Sequence, residues 1–443
     1  MDIFIKASQF IMSLSILVTL HEFGHFIPAK LFKTRVEKFY LFFNPKFSLY
    51  KKQIKDTEWG IGWLPLGGYV KIAGMVDESM DTEQLKQPAQ PWEFRSKKAW
   101  QRLIIMIGGV VVNIILGLLI YIGVTYYYGV ERLDPTKLEQ GLAVHPYMKK
   151  YGMVSGDEIL TVDGEKVENV MEVSAQVMMR GAQDLKVKHA NGKVVSIHLP
   201  DDIEYELFQA GAFPIVSLRT TSLSIDSVLP KSNAKEAGLK KGDQFVTING
   251  NKLTYFDDIQ AILFENKGKK IEATILRGKD TLNLKAFVTL EGTLGYVSKG
   301  GKIVDEKLVK QYKPGFFESI GLGYKKASTT LQDYAGQLKF MFTKKGASSM
   351  GGFASMGNMF PPVWDWHIFW LNTAFLSLAL AIMNILPIPA LDGGHVVFLL
   401  YEMITGKEAP QKVLEYAQYT GIVLLLSLML YANGNDIYRI FFK

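Results

Sequence analysis

Long apolar runs alternate along the chain with one extended region in which apolar and polar residues trade places at short intervals. Four runs approach the length of about 20 residues needed to cross the hydrocarbon core of a bilayer. They lie at about Ala7–Ala29, Leu103–Tyr126, Ile368–Ala390 and Thr420–Tyr431, the last being short enough to need its flanking residues. Tyr126-Tyr127-Tyr128 closes the second run, and Trp364 and Trp366 precede the third, as aromatic residues do at a membrane interface. The first run is broken by His21, Glu22 and His25. It begins without the basic stretch and small-residue cleavage site of a signal peptide, so it is expected to be retained.

Basic residues beside the runs set an orientation. Lys30, Lys33, Arg35 and Lys38 follow the first run, and Arg95, Lys97, Lys98 and Arg102 precede the second, so this connection is expected to be cytoplasmic. The amino terminus and residues 129–364 then lie outside. Lys407 and Lys412 between the third and fourth runs agree, whereas Arg439 and Lys443 at the far end run against it.

The outside region repeats itself. Gly152, Gly156 and Gly164 each recur 86 residues later, as Gly238, Gly242 and Gly250. Each copy presents a Gly-Asp turn, a β-branched strand and an Asp-Gly or Asn-Gly hairpin turn. Two tandem β-rich modules follow, at 129–220 and 221–312, and the pattern Gly-Leu-x-x-Gly-Asp-x-x-x-x-x-Asn-Gly resembles PDZ domains; a pair of generic β modules is the plainer alternative. From Gly315 to Phe342, Phe316, Ile320, Tyr324, Leu331 and Phe340 interleave with Lys325, Lys326, Asp333 and Lys339, which predicts an amphipathic helix within 313–345. It lies either at the bilayer surface or packed on the second module. The fold class is therefore a polytopic α-helical membrane protein with two inserted β-rich PDZ-like domains. Residues 1–128 hold the first two spans and 346–443 the last two.

Composition narrows the chemistry. The 443 residues include no cysteine, which excludes disulfides, thiolate nucleophiles and cysteine metal sites. The net charge of +7 comes with no basic run interleaved with aromatics. It therefore marks topology and attraction to the lipid bilayer, with no nucleic-acid partner.

His21-Glu22-Phe23-Gly24-His25 is the pattern His-Glu-x-x-His. Four residues advance an α-helix by about 400°, so the two imidazoles stand on one face, one turn apart. They can grip one zinc ion while Glu22 reaches the metal-bound water. Inside an apolar span such residues are costly unless paired or metal-bound; a satisfied polar kink is the alternative. A catalytic zinc needs a third protein ligand. His145, His189 and His198 fall in the modules, and His367 falls at the outer end of the third run. Asp392 and His395 remain at its inner end. Asp392, in Asn384-Ile385-Leu386-Pro387-Ile388-Pro389-Ala390-Leu391-Asp392-Gly393-Gly394, is the expected third ligand, because two prolines break the helix and Asp-Gly-Gly lets the carboxylate turn inward.

The pairing of His-Glu-Phe-Gly-His with Asn-x-x-Pro-x-Pro-x-Leu-Asp-Gly-Gly resembles the site-2 proteases, and the tandem modules resemble their bacterial sigma-E-regulating subgroup. The resemblance covers essentially the whole chain. It implies an intramembrane zinc metalloprotease that cuts transmembrane segments of pre-trimmed single-span proteins, anti-sigma-factor-like substrates and signal-peptide remnants among them. It also implies a bacterial cytoplasmic membrane with the PDZ-like domains on the extracytoplasmic side. Zn2+ would sit on His21, His25 and Asp392, with Glu22 as general base and acid. Leu66-Gly67-Gly68-Tyr69-Val70 resembles the family's membrane-dipping loop, in which Gly67, Gly68 and Tyr69 would pair with substrate. Alternating Trp59, Ile61 and Trp63 lead into it, and a β-hairpin is expected there. Asn384 would bind the unwound substrate backbone. Gly109 and Asn113 match the family's Gly-x-x-x-Asn, with Asn113 a further substrate contact and close helix packing an equal account of Gly109. Phe42-Phe43-Asn44-Pro45 and the loop from Asp77 to Pro91 are less typical of the family. A catalytically inactive scaffold and a metal transporter are the competing readings. The first has little use for Glu22, and the second would spread polar residues along several spans.

Overall fold

The computed structural model describes residues 2–65, 67–75, 87–133, 138, 140–299, 309–341 and 343–442; Leu66 and residues 77–86 of the less typical loop lie outside the described residues. The chain divides into two compact units, Met1–Gly129 with Lys313–Lys443, and Val130–Tyr312.

The first unit opens with α1 (Asp2–Leu31), then β1 (Val36–Leu41), β2 (Tyr50–Ile54), β3 (Thr57–Ile61), β4 (Tyr69–Ile72) and α2 (Ala99–Tyr128). The sheet order is β2-β3-β1-β4, with β1 parallel to β3 and antiparallel to β4. The hairpin leading into the glycine loop is formed by β3 with β2; β4, after the loop, pairs with β1, which lies between β3 and β4. The reason is burial: Val36, Phe39 and Tyr40 of β1 are nearly inaccessible, whereas Ile61 and Trp63 face outward. Phe39 stacks on Trp59 at 4.6 Å between ring centroids and meets Phe23 and Phe26 of α1 at 4.8 and 5.7 Å. This aromatic cluster fastens the end of α1 to the sheet.

The second unit begins with β5 (Val130–Leu133) and ends with β18 (Val309–Tyr312), which pair antiparallel. Its first module holds β6 (Leu142–Val144), β7 (Glu158–Val162), β8 (Glu165–Lys166), α3 (Val173–Arg180), β9 (Asp184–Lys188), β10 (Val194–His198), α4 (Ile203–Ala210) and β11 (Val216–Leu218). The second holds β12 (Ile225–Val228), α5 (Asn233–Glu236), β13 (Gln244–Ile248), β14 (Asn251–Lys252), α6 (Phe256–Glu265), β15 (Lys270–Arg277), β16 (Asp280–Phe287) and β17 (Tyr296–Ser298). β6 pairs with β11 as β12 does with β17, and the sheets β10-β9-β7-β8 and β16-β15-β13-β14 correspond strand for strand. The repeated Gly-Asp has one function in both: Asp157 and Asp243, fully buried, accept the Val154 and Lys240 amides at 2.9 and 2.8 Å. Asp163 and Asn249, each at φ +50°, begin the tight turns before β8 and β14, a conformation Asp and Asn tolerate. Each module has its own apolar core.

The first unit resumes with α7 (Phe316–Met341), α8 (Lys344–Ser349), α9 (Phe353–Gly357), α10 (Trp366–Ile385), α11 (Asp392–Thr405) and α12 (Gln411–Phe442). Among the described residues, four helices are long and apolar enough to cross a membrane: α1, α2, α10 and α12. α10 stops at Ile385, short of the expected 390, because Pro387 and Pro389 cannot donate helical hydrogen bonds. The short fourth run is the middle of a 32-residue helix. α1 and α2 cross where Gly24 faces Gly108; a Cβ at Gly24 would lie 2.4 Å from the Gly108 carbonyl. The amphipathic α7 packs on these helices, with Gly323 against Ile122 and Ala327 in a cluster with Tyr121, Ala374 and Leu378. Buried Ser13 and Thr373 hydrogen-bond at 2.9 Å, tying α1 to α10.

Candidate active site

His21 and His25 lie on one face of α1, both buried, with their Nε2 atoms 3.3 Å apart. Asp392, the first residue of α11, places Oδ2 at 3.3 Å from His21 Nε2 and 3.4 Å from His25 Nε2. What brings it there is the break in the chain after α10. Gly393 and Gly394 fold back so closely that a Cβ on either would lie 2.2 Å from the Leu386 carbonyl or 2.7 Å from that of Ile388.

The three atoms form a nearly equilateral triangle. Ligands about 2.0–2.1 Å from a tetrahedral zinc are separated by about 3.3–3.4 Å, so the triangle has the dimensions of one face of such a site. Among the described residues, Asp392 Oδ2 is buried without a hydrogen-bond partner, an arrangement that is costly in the absence of a cation. His25 Nδ1 is 2.9 Å from the Ile105 carbonyl. That contact requires a proton on Nδ1 and leaves the Nε2 lone pair facing the triangle. The residues fit zinc. Among the described residues, His21, His25 and Asp392 are the group able to hold a metal ion.

Glu22 is buried beside these ligands and close to the backbone of Val70 in β4. The strand reaches it because residue 68 is glycine: a Cβ there would lie 2.7 Å from Val18 Cγ1 and 3.5 Å from Glu22 Cγ. Gly67, at φ +151°, precedes it in a backbone conformation that favours glycine. The Tyr69 ring stacks parallel on Tyr40, and its hydroxyl donates to Asn44 at 2.9 Å. Asn384, in the last turn of α10, has its amide nitrogen 3.2 Å from His21 Nε2. Asn113 is placed otherwise than expected of a substrate contact. It is fully buried with its amide nitrogen 3.1 Å from His21 Nδ1, on the side of the ring away from the triangle.

The remaining histidines lie elsewhere. His395 lines a separate cavity of about 270 Å³ with Arg102, Glu402 and Glu408. His367 stacks on Tyr128 at 4.4 Å, and His189 and His198 pair with Asp157 and Asp184. The contact that orients His25, to the Ile105 carbonyl, had no trace in the sequence, since a backbone group carries no residue identity.

Comparison with known proteins matches residues 9–428 to peptidase family M50. A putative zinc metalloprotease of Neisseria meningitidis is 27% identical over 97% of this chain and 98% of its own length. The Regulator of sigma-E protease RseP of Escherichia coli is 28% identical over 98% of each chain. The Regulator of sigma E protease of Haemophilus influenzae is 27% identical, again over 98% of each. The chain belongs to peptidase family M50. It is an intramembrane zinc metalloprotease of the site-2 type, similar along its whole length to the sigma-E-regulating proteases.

Proposed function

We propose that the protein hydrolyses peptide bonds within the transmembrane segments of single-span membrane proteins whose outer domains have already been removed. Anti-sigma-factor-like proteins are the expected substrates, with signal-peptide remnants a second source. The observation that carries this reading is the position of β4 beside Glu22 and the three ligand atoms. Among the described residues, β4 pairs with β1 along one edge only. A peptide bond in a helical segment is shielded by its own hydrogen bonds, and a substrate that adds a strand to β4 is held extended with its carbonyl presented to the site.

His21, His25 and Asp392 hold the zinc, which when bound supplies Lewis acidity and lowers the pKa of water. Glu22, buried beside the ligand atoms, takes a proton from the attacking water and passes it to the leaving amine. Asn384 offers its side-chain amide to the substrate backbone or to the developing oxyanion. The two modules act as PDZ-like domains on the extracytoplasmic side of the bacterial cytoplasmic membrane. There they admit only substrates trimmed to a small outer stub.

The test is cleavage of a tagged single-span substrate by purified protein in detergent, with zinc content measured. Loss of cleavage in both Glu22→Gln and Asp392→Asn, with zinc retained only in the first, is the expected outcome. Cleavage that survives Glu22→Gln would overturn the assignment.

A further inference from the structure

We propose that Asn113 is a positioning residue for the metal. Its side-chain carbonyl accepts the Nδ1–H of His21 and so turns the His21 Nε2 lone pair toward His25 and Asp392. This rests on reading the site as a zinc centre.

The two ligand histidines must each carry their proton on Nδ1 if Nε2 is to ligate. For His25 the acceptor is the Ile105 carbonyl at 2.9 Å. For His21, Nδ1 meets the Asn113 side-chain amide at 3.1 Å. The two ends of an asparagine amide are nearly identical in shape and are told apart by their partners. With nitrogen toward His21, Nδ1 would have to be the acceptor. The ring proton would then sit on Nε2, aimed at His25 Nε2 and Asp392 Oδ2, in a tautomer that cannot bind metal. In that orientation Asn113 Oδ1 is also buried without a partner among the described residues. Turned over, the carbonyl receives the Nδ1–H and fixes the ligating tautomer.

The surroundings keep Asn113 at this task. The residue is fully buried, and its backbone carbonyl accepts the Ser377 hydroxyl at 2.8 Å, which fixes α2 to α10 at this level. One turn earlier, Gly109 leaves the space that both imidazoles occupy. Gly109 and Asn113 thus serve the ligand pair together, one by making room and the other by setting the proton.

The experiment measures zinc affinity of the full chain in detergent, stripped of metal and titrated against a chromophoric chelator. Wild type, Asn113→Asp and Asn113→Leu are compared. Aspartate keeps an acceptor and loses the amide donor; leucine keeps the volume and loses both. The expected result is about a 10- to 100-fold loss of affinity for Asn113→Leu, the usual cost of removing a metal ligand's hydrogen-bond partner, with Asn113→Asp within a few-fold of wild type. Wild-type affinity in Asn113→Leu, or equal loss in both variants, overturns the proposal. Should Asn113→Leu fail to fold, Asn113→Asp decides alone, since a donor role predicts loss where an acceptor role predicts retention. Wild type that binds no zinc would instead overturn the reading of the site itself.

Discussion

A Cβ atom at Gly109 would stand 2.5 Å from His25 Nε2 and 2.6 Å from His21 Cε1, so α2 and the ligand pair of α1 touch where this residue has no side chain. Gly109→Ala is therefore expected to push both imidazoles off the triangle. Bound zinc should fall well below one equivalent and cleavage by more than about 100-fold, by analogy with the large cost of small misplacements at reacting centres. Gly123→Ala on the same helix meets no atom of the described residues within 4 Å and serves as the control, with zinc and cleavage near wild type.

Glu22 lies beside the ligands without being one of the three. Removing a general acid–base group costs about 10²- to 10⁴-fold in rate. Glu22→Gln should lose at least that much turnover at unchanged zinc stoichiometry, and Glu22→Asp, whose carboxylate is one methylene shorter, should fall between. Single-turnover cleavage with metal analysis on the same samples checks both.

Arg102 at the start of α2 pairs with Glu402 of α11 and with Glu408 at 3.2 Å, and the first two side chains are mostly buried. Removing one partner of a buried pair leaves an uncompensated charge, at a cost of about 3–5 kcal/mol. Arg102→Met should lower the thermal midpoint in detergent clearly, and Arg102→Met with Glu402→Met should recover much of the loss. A double variant no more stable than Arg102→Met would show that the ion pair is not what links these helices.

His145, half-buried at the start of the first module's short turn, meets the Phe264 ring edge-on at 5.3 Å. Burial, with the nearby Lys267 charge assisting, holds its pKa down at about 4. The folded protein thus binds this proton less readily than the unfolded chain, whose histidine titrates near 6.5. Stability from this residue is full above about pH 6.5 and declines as pH falls toward 4. His198, exposed beside Asp184, is shifted upward and so acts in the opposite sense. Thermal unfolding of wild type and His145→Asn between pH 7.5 and 4.5 should show a steeper acid loss in wild type, and parallel curves would refute the assignment.

The residues that act within one helical turn were legible from the start. His21, Glu22 and His25 are fixed relative to one another by the pitch of α1, and no tertiary contact is needed to put both imidazoles on one face. The spans, the doubled module and its buried aspartates are likewise local in origin, written in apolar run length and in turn residues. Asp392 was legible as well, because Pro387, Pro389, Gly393 and Gly394 announce a chain that must stop being helical inside an apolar segment.

Which groups face one another across elements was decided only by packing. Strand alternation around Trp59 marked a strand without naming its partners; packing set β2 on one side of it and the buried β1 on the other. Asn113 and Gly109 were legible in the sequence as the Gly-x-x-x-Asn of the resembled family, but not as neighbours of the ligand histidines. Their position against His21 and His25 follows from the approach of α1 to α2 at Gly24 and Gly108. The sequence by itself determined the chemistry of the ligands and the order of the spans, since both depend on residue type and local periodicity. The tertiary structure decided the triangle, the groups that meet its histidines from α2 and the strand beside Glu22, since these depend on distances between segments that no local rule sets.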